Sequence, residues 1–394
     1  MRFAVDTFSL LLEIHSDMKK KGIIDIKIQN ELKVSKGLVS QYFSGKTKIP
    51  FFNFVKLVRY VYEEDSIVQS YILRFCEATT KPLNLCIAME FASSQSNIEL
   101  LTAVVNRGKT FGNRMVKEWA KHYDFLCERS KGTLKGEKLF KKISKSSVKA
   151  TYDEMKVLKS IILMYSFSDM QEFTSLIKTV PNLEDEQCIP EDQEEKAEKT
   201  VWNLKESYFK NAYDIRTKEL QLVANLMDNN IAVVREIGEA VIKSESSKEF
   251  PRFLASIYQF LGISYMFEDT YKSQLLVQKG VEILKNEKTN RFDDKIAECQ
   301  QTLDFIQIDY GVDLDKINPV DLGEKAHLAI KKGEIEEGIQ ILNKLKKENG
   351  YWTAFQWYYM GLATGEEYYF KESTKCFEQH GNRFYIQIPM RFIK

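Results

Sequence analysis

A pattern of small and aromatic residues that returns about every 34–40 positions is the feature that most restricts how this chain can fold. Near the end, Trp357, Met360, Gly361, Ala363, Ser373 and Phe377 follow the order aromatic, apolar-glycine, small, aromatic. Tyr258, Leu261, Gly262, Tyr265, Val277 and Gly280 repeat it, and Ala326, Ala329, Gly338 and Leu342 make a third unit within Leu322–Leu345. Helices that pack closely in pairs need small residues where they cross, and the spaces between successive pairs need aromatics. This is the period of tetratricopeptide-like helix pairs, which stack into a solenoid. Only 7 prolines and 18 glycines interrupt 394 residues, too few turns for a sheet protein, while 44% hydrophobic content supplies a large core. The repeats over Asp65–Val180 are more degenerate. Glu184–Glu198 holds eight acids, one lysine (Lys196) and Pro190, and reads as a connecting loop within the solenoid that leads into an acid-capped helix.

The first sixty residues have a different character. Phe8–Lys20 has helical spacing, with Phe8, Leu11, Leu12, His15 and Met18 expected on one face, and Gly22 ending the helix after Lys19–Lys21. Two short helices should follow. Ile28 and Leu32 pack the first, Val34 lies in the turn, and Ser35 caps the second, with Leu38, Val39 and Tyr42 or Phe43 turned inward. The run from Gln29 through Gly45-Lys46, with Ile49-Pro50 opening the next helix, resembles the helix-turn-helix of phage repressors and Cro-like proteins. In that family the second helix enters the major groove of operator DNA. The resemblance assigns DNA contact to Ser35, Lys36, Gly37, Ser40 and Gln41, with Lys46 and Lys48 on phosphates. Gly37 departs from a good helix former by about 1 kcal/mol. An αα-hairpin with no nucleic-acid role is the plainer alternative.

Charge is unevenly spread. The net +1 comprises +6 over residues 1–60, +9 over residues 105–160 and −14 elsewhere. A basic beginning suits an anionic partner, whereas the basic 105–160 region reads as a solvated lysine-rich surface with no assigned role. The expected architecture is therefore all-α: a helix-turn-helix domain over 1–62, then a right-handed tetratricopeptide-like α-solenoid over 63–394.

Other classes find little support. Cys76, Cys86, Cys127, Cys188, Cys299 and Cys376 are not spaced for metal or redox pairing, and His15, His122, His327 and His380 lie far apart. No zinc site, disulfide framework or cofactor is expected, and the histidines read as structural or surface residues. No apolar run approaches the ~18–20 residues of a membrane span. Met1-Arg2-Phe3-Ala4-Val5-Asp6 shows no signal-peptide pattern. A nucleotide loop or Ser/His/Asp motif is also missing, so no enzyme activity is expected.

Three further places carry a second resemblance: Asn225-Leu-Met-Asp-Asn229; Arg252-Phe253 followed by Leu261-Gly262-Ile-Ser264, Phe267 and Gln278-Lys-Gly280; and Trp357-Tyr-Tyr-Met-Gly361 with Cys376-Phe-Glu, Asn382-Arg-Phe384 and Ile388-Pro389. On these the chain resembles the peptide-sensing regulators of Gram-positive bacteria and their phages. Within that group it is most similar to the arbitrium receptors of Bacillus phages, the AimR family. The resemblance spans the chain in order and is specific over about residues 220–394. It implies a phage-encoded, cytoplasmic homodimer that binds operator double-stranded DNA and controls lysis against lysogeny. It also implies a short communication peptide of about six residues that occupies the solenoid groove and ends activation.

By this resemblance Asn225, Asn229, Arg252 and Phe384 bind the peptide. The asparagines, four apart, are expected on one helix face, where each could clamp peptide backbone as donor and acceptor. Arg252 could pair with a terminal carboxylate. Asn382 and Ile263 depart from the family pattern, where an acid and an asparagine can stand, and so point to a different peptide. Dimer contact is expected in the C-terminal repeats, around Tyr385, Ile386, Ile388, Met390 and Phe392, residues that could equally cap the last repeat. A solenoid adaptor that binds a protein partner, or a regulator from another branch of the group, remains the alternative.

Overall fold

The computed structural model describes residues 6–146, 153–179 and 207–394, and every regular element among them is a helix. Cys188 and the acidic stretch Glu184–Glu198 lie outside the described residues. The chain divides into two compact units, one of Met1–Leu134 with Ser146–Met155, the other of Lys135–Lys145 with Lys156–Lys394.

The first unit contains α1 (Thr7–Lys20), α2 (Asp25–Leu32), α3 (Lys36–Phe43), α4 (Phe51–Val61), α5 (Asp65–Ala78), α6 (Pro82–Ser94), α7 (Ile98–Thr110) and α8 (Arg114–Ser130). Asp6 caps α1 by accepting from the Ser9 amide at 2.7 Å. The buried face of α1 is Leu10, Leu11, Ile14 and Met18. Leu12, expected inside, is 46% exposed. The apolar run Leu10-Leu11-Leu12 fits two adjacent helical faces, and packing against the rest of the unit selects one. Between α2 and α3, Lys33 takes the left-handed conformation and Ser35 accepts from the Leu38 amide at 3.3 Å. Ile28, Leu32, Val39 and Tyr42 are buried, and Phe43 stacks on His15 at 4.3 Å.

Polar contacts fasten α1–α4 to one another and to α5 and α6. The Tyr62 hydroxyl donates to Asp17 (2.7 Å), Arg74 pairs with Glu13 (2.7 Å), and the Phe51 amide donates to Asn84 Oδ1 (3.1 Å). One compact unit thus spans residue 62. The Tyr62 hydrogen bond, aided by Lys20, holds the Asp17 carboxyl below its ordinary range.

The second unit begins with α9 (Gly136–Ser144) and most of α10 (Asp153–Asp169), followed by α11 (Phe173–Thr179), α12 (Ser207–Met227), α13 (Ile231–Lys243), α14 (Pro251–Ile263) and α15 (Thr270–Asn286). It continues with α16 (Asp293–Asp309), α17 (Leu322–Lys332), α18 (Ile335–Asn349), α19 (Ala354–Thr364), α20 (Glu367–Gln379) and the short α21 (Gln387–Met390). The repeat glycines mark the closest crossings. A Cβ on Gly262 of α14 would lie 2.8 Å from the Ser273 carbonyl of α15, and one on Gly280 2.9 Å from the Ala255 carbonyl. Gly338 of α18 meets the Ala326 carbonyl of α17 at 3.0 Å, and Gly361 of α19 meets the Phe370 ring of α20 at 2.6 Å.

After α20 the chain turns back at Gly381. The Arg383 amide donates to the Met227 carbonyl (2.7 Å), its guanidinium binds Asp228 (2.6 Å), and Gln387 donates to Asn229 (3.2 Å). Further on, Arg391 binds Asp309 at 2.8 Å and Phe392 stacks on Phe370 at 4.7 Å. The end of the chain is thereby tied to the α12–α13 turn and to α16. Ile388 is fully buried, whereas Met390 and Phe392 remain substantially exposed.

Candidate functional site

Among the described residues, two places offer chemistry. The first is the outer face of α3. Its cap and inward residues fix the helix, leaving Ser35, Lys36, Gly37, Ser40 and Gln41 exposed, with Lys46 and Lys48 exposed just beyond. A Cβ on Gly37 would meet nothing within 4 Å, so the glycine is not required by packing. Thr47 donates to Gln41 Oε1 at 2.9 Å and steadies that side chain. The face combines cations with amide and hydroxyl groups, the mixture that suits phosphates and base edges.

The second place is a cavity of about 800 Å³ inside the second unit. Phe305, Phe355, Tyr359 and Tyr385 supply aromatic walls, while Gln301, Thr302 and Asn382 offer amide and hydroxyl groups. Asp169, Asp321 and Glu324 also line it, and no lysine or arginine is among the described lining residues. This volume and lining match a site for a small or peptide-sized ligand. A second cavity, about 460 Å³, shares Asn382 and adds Lys178, Asp228 and Arg383.

A buried polar network supports the cavity wall. Tyr359 donates to Glu324 and Tyr358 to Asp309, each at 2.6 Å. His327, fully buried, lies 3.3 Å from Glu324 and 3.8 Å from Asp309, and stacks on Tyr359 at 4.2 Å. Burial first, then Glu324, pushes the Tyr359 phenol far up, so it stays a hydrogen-bond donor. Burial likewise raises the Tyr385 phenol, and burial with Glu372 raises the Cys376 thiol at the cavity edge, keeping both neutral. Burial is the largest single influence on Arg391 and pulls it down, but the hydrogen bond and charge of Asp309, with Tyr358 and Tyr310, together hold it above its ordinary value.

The four residues assigned to a peptide occupy different settings. Asn225 lies on α12 and donates to the Gln221 carbonyl at 2.9 Å. Asn229 does not share its helix face: α12 ends at Met227, and Asn229 adopts φ +64° in the turn. Asparagine accepts the left-handed conformation more readily than most residues, so here it terminates the helix instead of extending it. Arg252, half-buried at the start of α14, lies 3.9 Å from Glu219. Phe384 is 1% exposed, packed against Phe267 and Tyr385. None of the four lines the larger cavity, but their neighbours Met227, Ile263, Asn382 and Tyr385 do. Both positions that depart from the family pattern, Ile263 and Asn382, are therefore on its wall. Sequence reasoning missed Glu324, Tyr359 and the His327 network. The one available signal was the three-residue spacing of Glu324 and His327 on α17, which puts them on one face.

An all-helical repeat protein with an aromatic-walled cavity is the class that fold and site define. The chain belongs to the AimR transcriptional regulator-like family, whose model matches residues 65–394. The match leaves α1–α4 outside. An uncharacterized protein of Bacillus anthracis is 28% identical over 268 residues, covering 67% of this chain and 94% of that protein. The AimR transcriptional regulator of Bacillus phage phi3T is 22% identical over 280 residues, covering 71% and 68% respectively. Among solved structures, phAimR with ligand matches at TM-score 0.71 and 19% identity, over 88% of this chain and 98% of that one. A selenomethionine form of phAimR matches at TM-score 0.66 and 18% identity, over 97% and 96%. These likenesses establish the solenoid fold.

Proposed function

We propose that the chain is a peptide-responsive, DNA-binding transcription regulator of the lysis–lysogeny decision, acting as a homodimer in the cytoplasm of a bacterial host. The observation that carries this reading is the presence in one family member of a solvent-facing α3, bearing Lys36, Ser40 and Gln41, and a cavity of about 800 Å³. In this reading residues 1–62 are a helix-turn-helix domain and 63–394 bind peptide and partner subunit. Lys36, Gly37, Ser40 and Gln41 face base edges, while Ser35, Lys46 and Lys48 face phosphates. A peptide of about six residues enters the cavity region beside Asn225, Asn229, Arg252 and Phe384. The phi3T relative is named a transcriptional regulator, and the matching phAimR structure holds a ligand, which supports both halves of the reading.

Switching requires that peptide bind one arrangement of the solenoid more tightly than another, since equal affinity shifts nothing. The two recognition helices of a dimer must fit half-sites about one helical turn apart, or a multiple of it. The test is a calorimetric titration with the synthetic C-terminal hexapeptide of the small reading frame that follows the gene, joined to footprinting of the flanking DNA. Binding is expected for the parent and lost in Asn225→Ala/Asn229→Ala. A footprint that saturating peptide leaves unchanged would refute the switch, and function retained by Lys36→Ala/Gln41→Ala would favour a protein adaptor.

A further inference from the structure

The loop between α5 and α6, outside the helix-turn-helix, is bound to the loop that leaves α3. Lys48 Nζ donates to Thr80 Oγ1 at 3.2 Å, and Lys81 Nζ donates to the Lys48 carbonyl at 3.3 Å. Asn84 anchors the pair from below. Its Oδ1 accepts from the Phe51 amide (3.1 Å) and its Nδ2 donates to Thr79 Oγ1 (3.1 Å). Asn84 is buried, whereas Lys46, Lys48, Thr80 and Lys81 are exposed. The fold therefore brings Lys81 and Thr80 from a distant stretch of sequence onto Lys48, two residues after Lys46 in the loop that leaves α3. None of the three lysines forms an ion pair with a carboxylate among the described residues. Asp6 is the nearby acid; it is engaged by the Ser9 amide and hydroxyl, and Lys48 adds only the last of the influences on it.

We propose that Lys81 and Thr80 complete, with Lys46 and Lys48, a grip on the phosphate backbone of duplex DNA. The proposal rests on the DNA-binding reading and adds to it a contact from beyond the motif. A phosphate carries the charge opposite to these ammonium groups and can accept hydrogen bonds from Lys48, Lys81 and the threonine hydroxyl. Such contacts add affinity and register while carrying no sequence information. The grip also links the loop after the recognition helix to α6, through Lys48, Lys81 and the Asn84 bond to the Phe51 amide.

Full-length protein would be titrated, over a range of salt concentrations, onto two fluorescent duplexes of about 30 base pairs. One carries the best site selected by the parent from a random pool, and the other is its scramble. Lys81→Gln should weaken both duplexes by the same factor, about fivefold to tenfold at 0.1 M salt, and make log K against log salt shallower by about 0.9. Lys81→Arg should retain the slope. Lys36→Ala/Gln41→Ala should instead erase the preference for the selected site. An unchanged slope in Lys81→Gln overturns the proposal, and so does a Lys81→Arg slope as shallow as that of Lys81→Gln, which would assign the loss to the loop contact. A parent that binds neither duplex overturns the DNA-binding reading itself.

Discussion

Gly37 of the first unit and Gly262 of the second show opposite uses of the same residue. Gly37 sits in α3 with open space where its side chain would be, whereas Gly262 lies where α15 approaches to within the reach of a single carbon. The first unit displays a short helix whose outward residues are exposed and available to a partner. The second packs Gly262, Gly280, Gly338 and Gly361 into interhelical contacts and lines its cavity from several of its helices. A small residue in a repeat is therefore a packing device, and one in the exposed helix needs some other explanation.

Gly262→Val should break the comparison most sharply. Overpacking against the Ser273 carbonyl and Val277 is expected to cost about 3 kcal/mol, seen as a lower denaturant midpoint. Gly280→Val should behave alike. Tyr359→Phe removes the donor to buried Glu324 and should cost about 2 kcal/mol by the same assay. It should also weaken ligand binding in the cavity. In the first unit, Ser35→Ala removes the α3 cap and should cost about 1 kcal/mol. Gly37→Ala should be neutral or stabilise by up to about 0.5 kcal/mol, because helix propensity improves and no atom obstructs the methyl group. A destabilised Gly37→Ala would show that α3 is packed more tightly than its surroundings suggest.

The smallest effect concerns acid. The Asp17 carboxyl is held low chiefly by the Tyr62 hydroxyl, so its contribution is complete above about pH 4 and is lost as pH falls through the lowered folded value. Tyr62→Phe should therefore leave neutral-pH spectra unchanged and move the acid-unfolding midpoint of the first unit upward. An unaltered acid midpoint would mean that the hydrogen bond does not couple α1 to α4 and α5.

Legibility from sequence followed the range of the interaction. The caps and turns of α2 and α3 were readable because Ser35, Val34 and the Ile28/Leu32 spacing act within a few residues. The crossings at Gly262, Gly280, Gly338 and Gly361 were readable because repetition showed them several times. The face of α1 was misjudged, since Leu10-Leu11-Leu12 permits two stripes and the neighbouring helices choose between them. Asn225 and Asn229 do not share a face because Asp228-Asn229-Asn230 ends α12 at Met227; the four-residue spacing implies a shared face only where the helix continues.

Local pattern thus determined the all-α class, the tetratricopeptide-like pairing and the exposed polar face of α3. These depend on helical periodicity, capping and the size of residues at close crossings, all of which are written in nearest neighbours along the chain. Tertiary structure alone decided that Arg383 and Gln387 would close on the α12–α13 turn, that Glu324, His327 and Tyr359 would form one buried network, and that Lys81 would meet Lys48. Each of the three depends on segments that come together only after the intervening helices have packed, and no spacing in the sequence records that meeting.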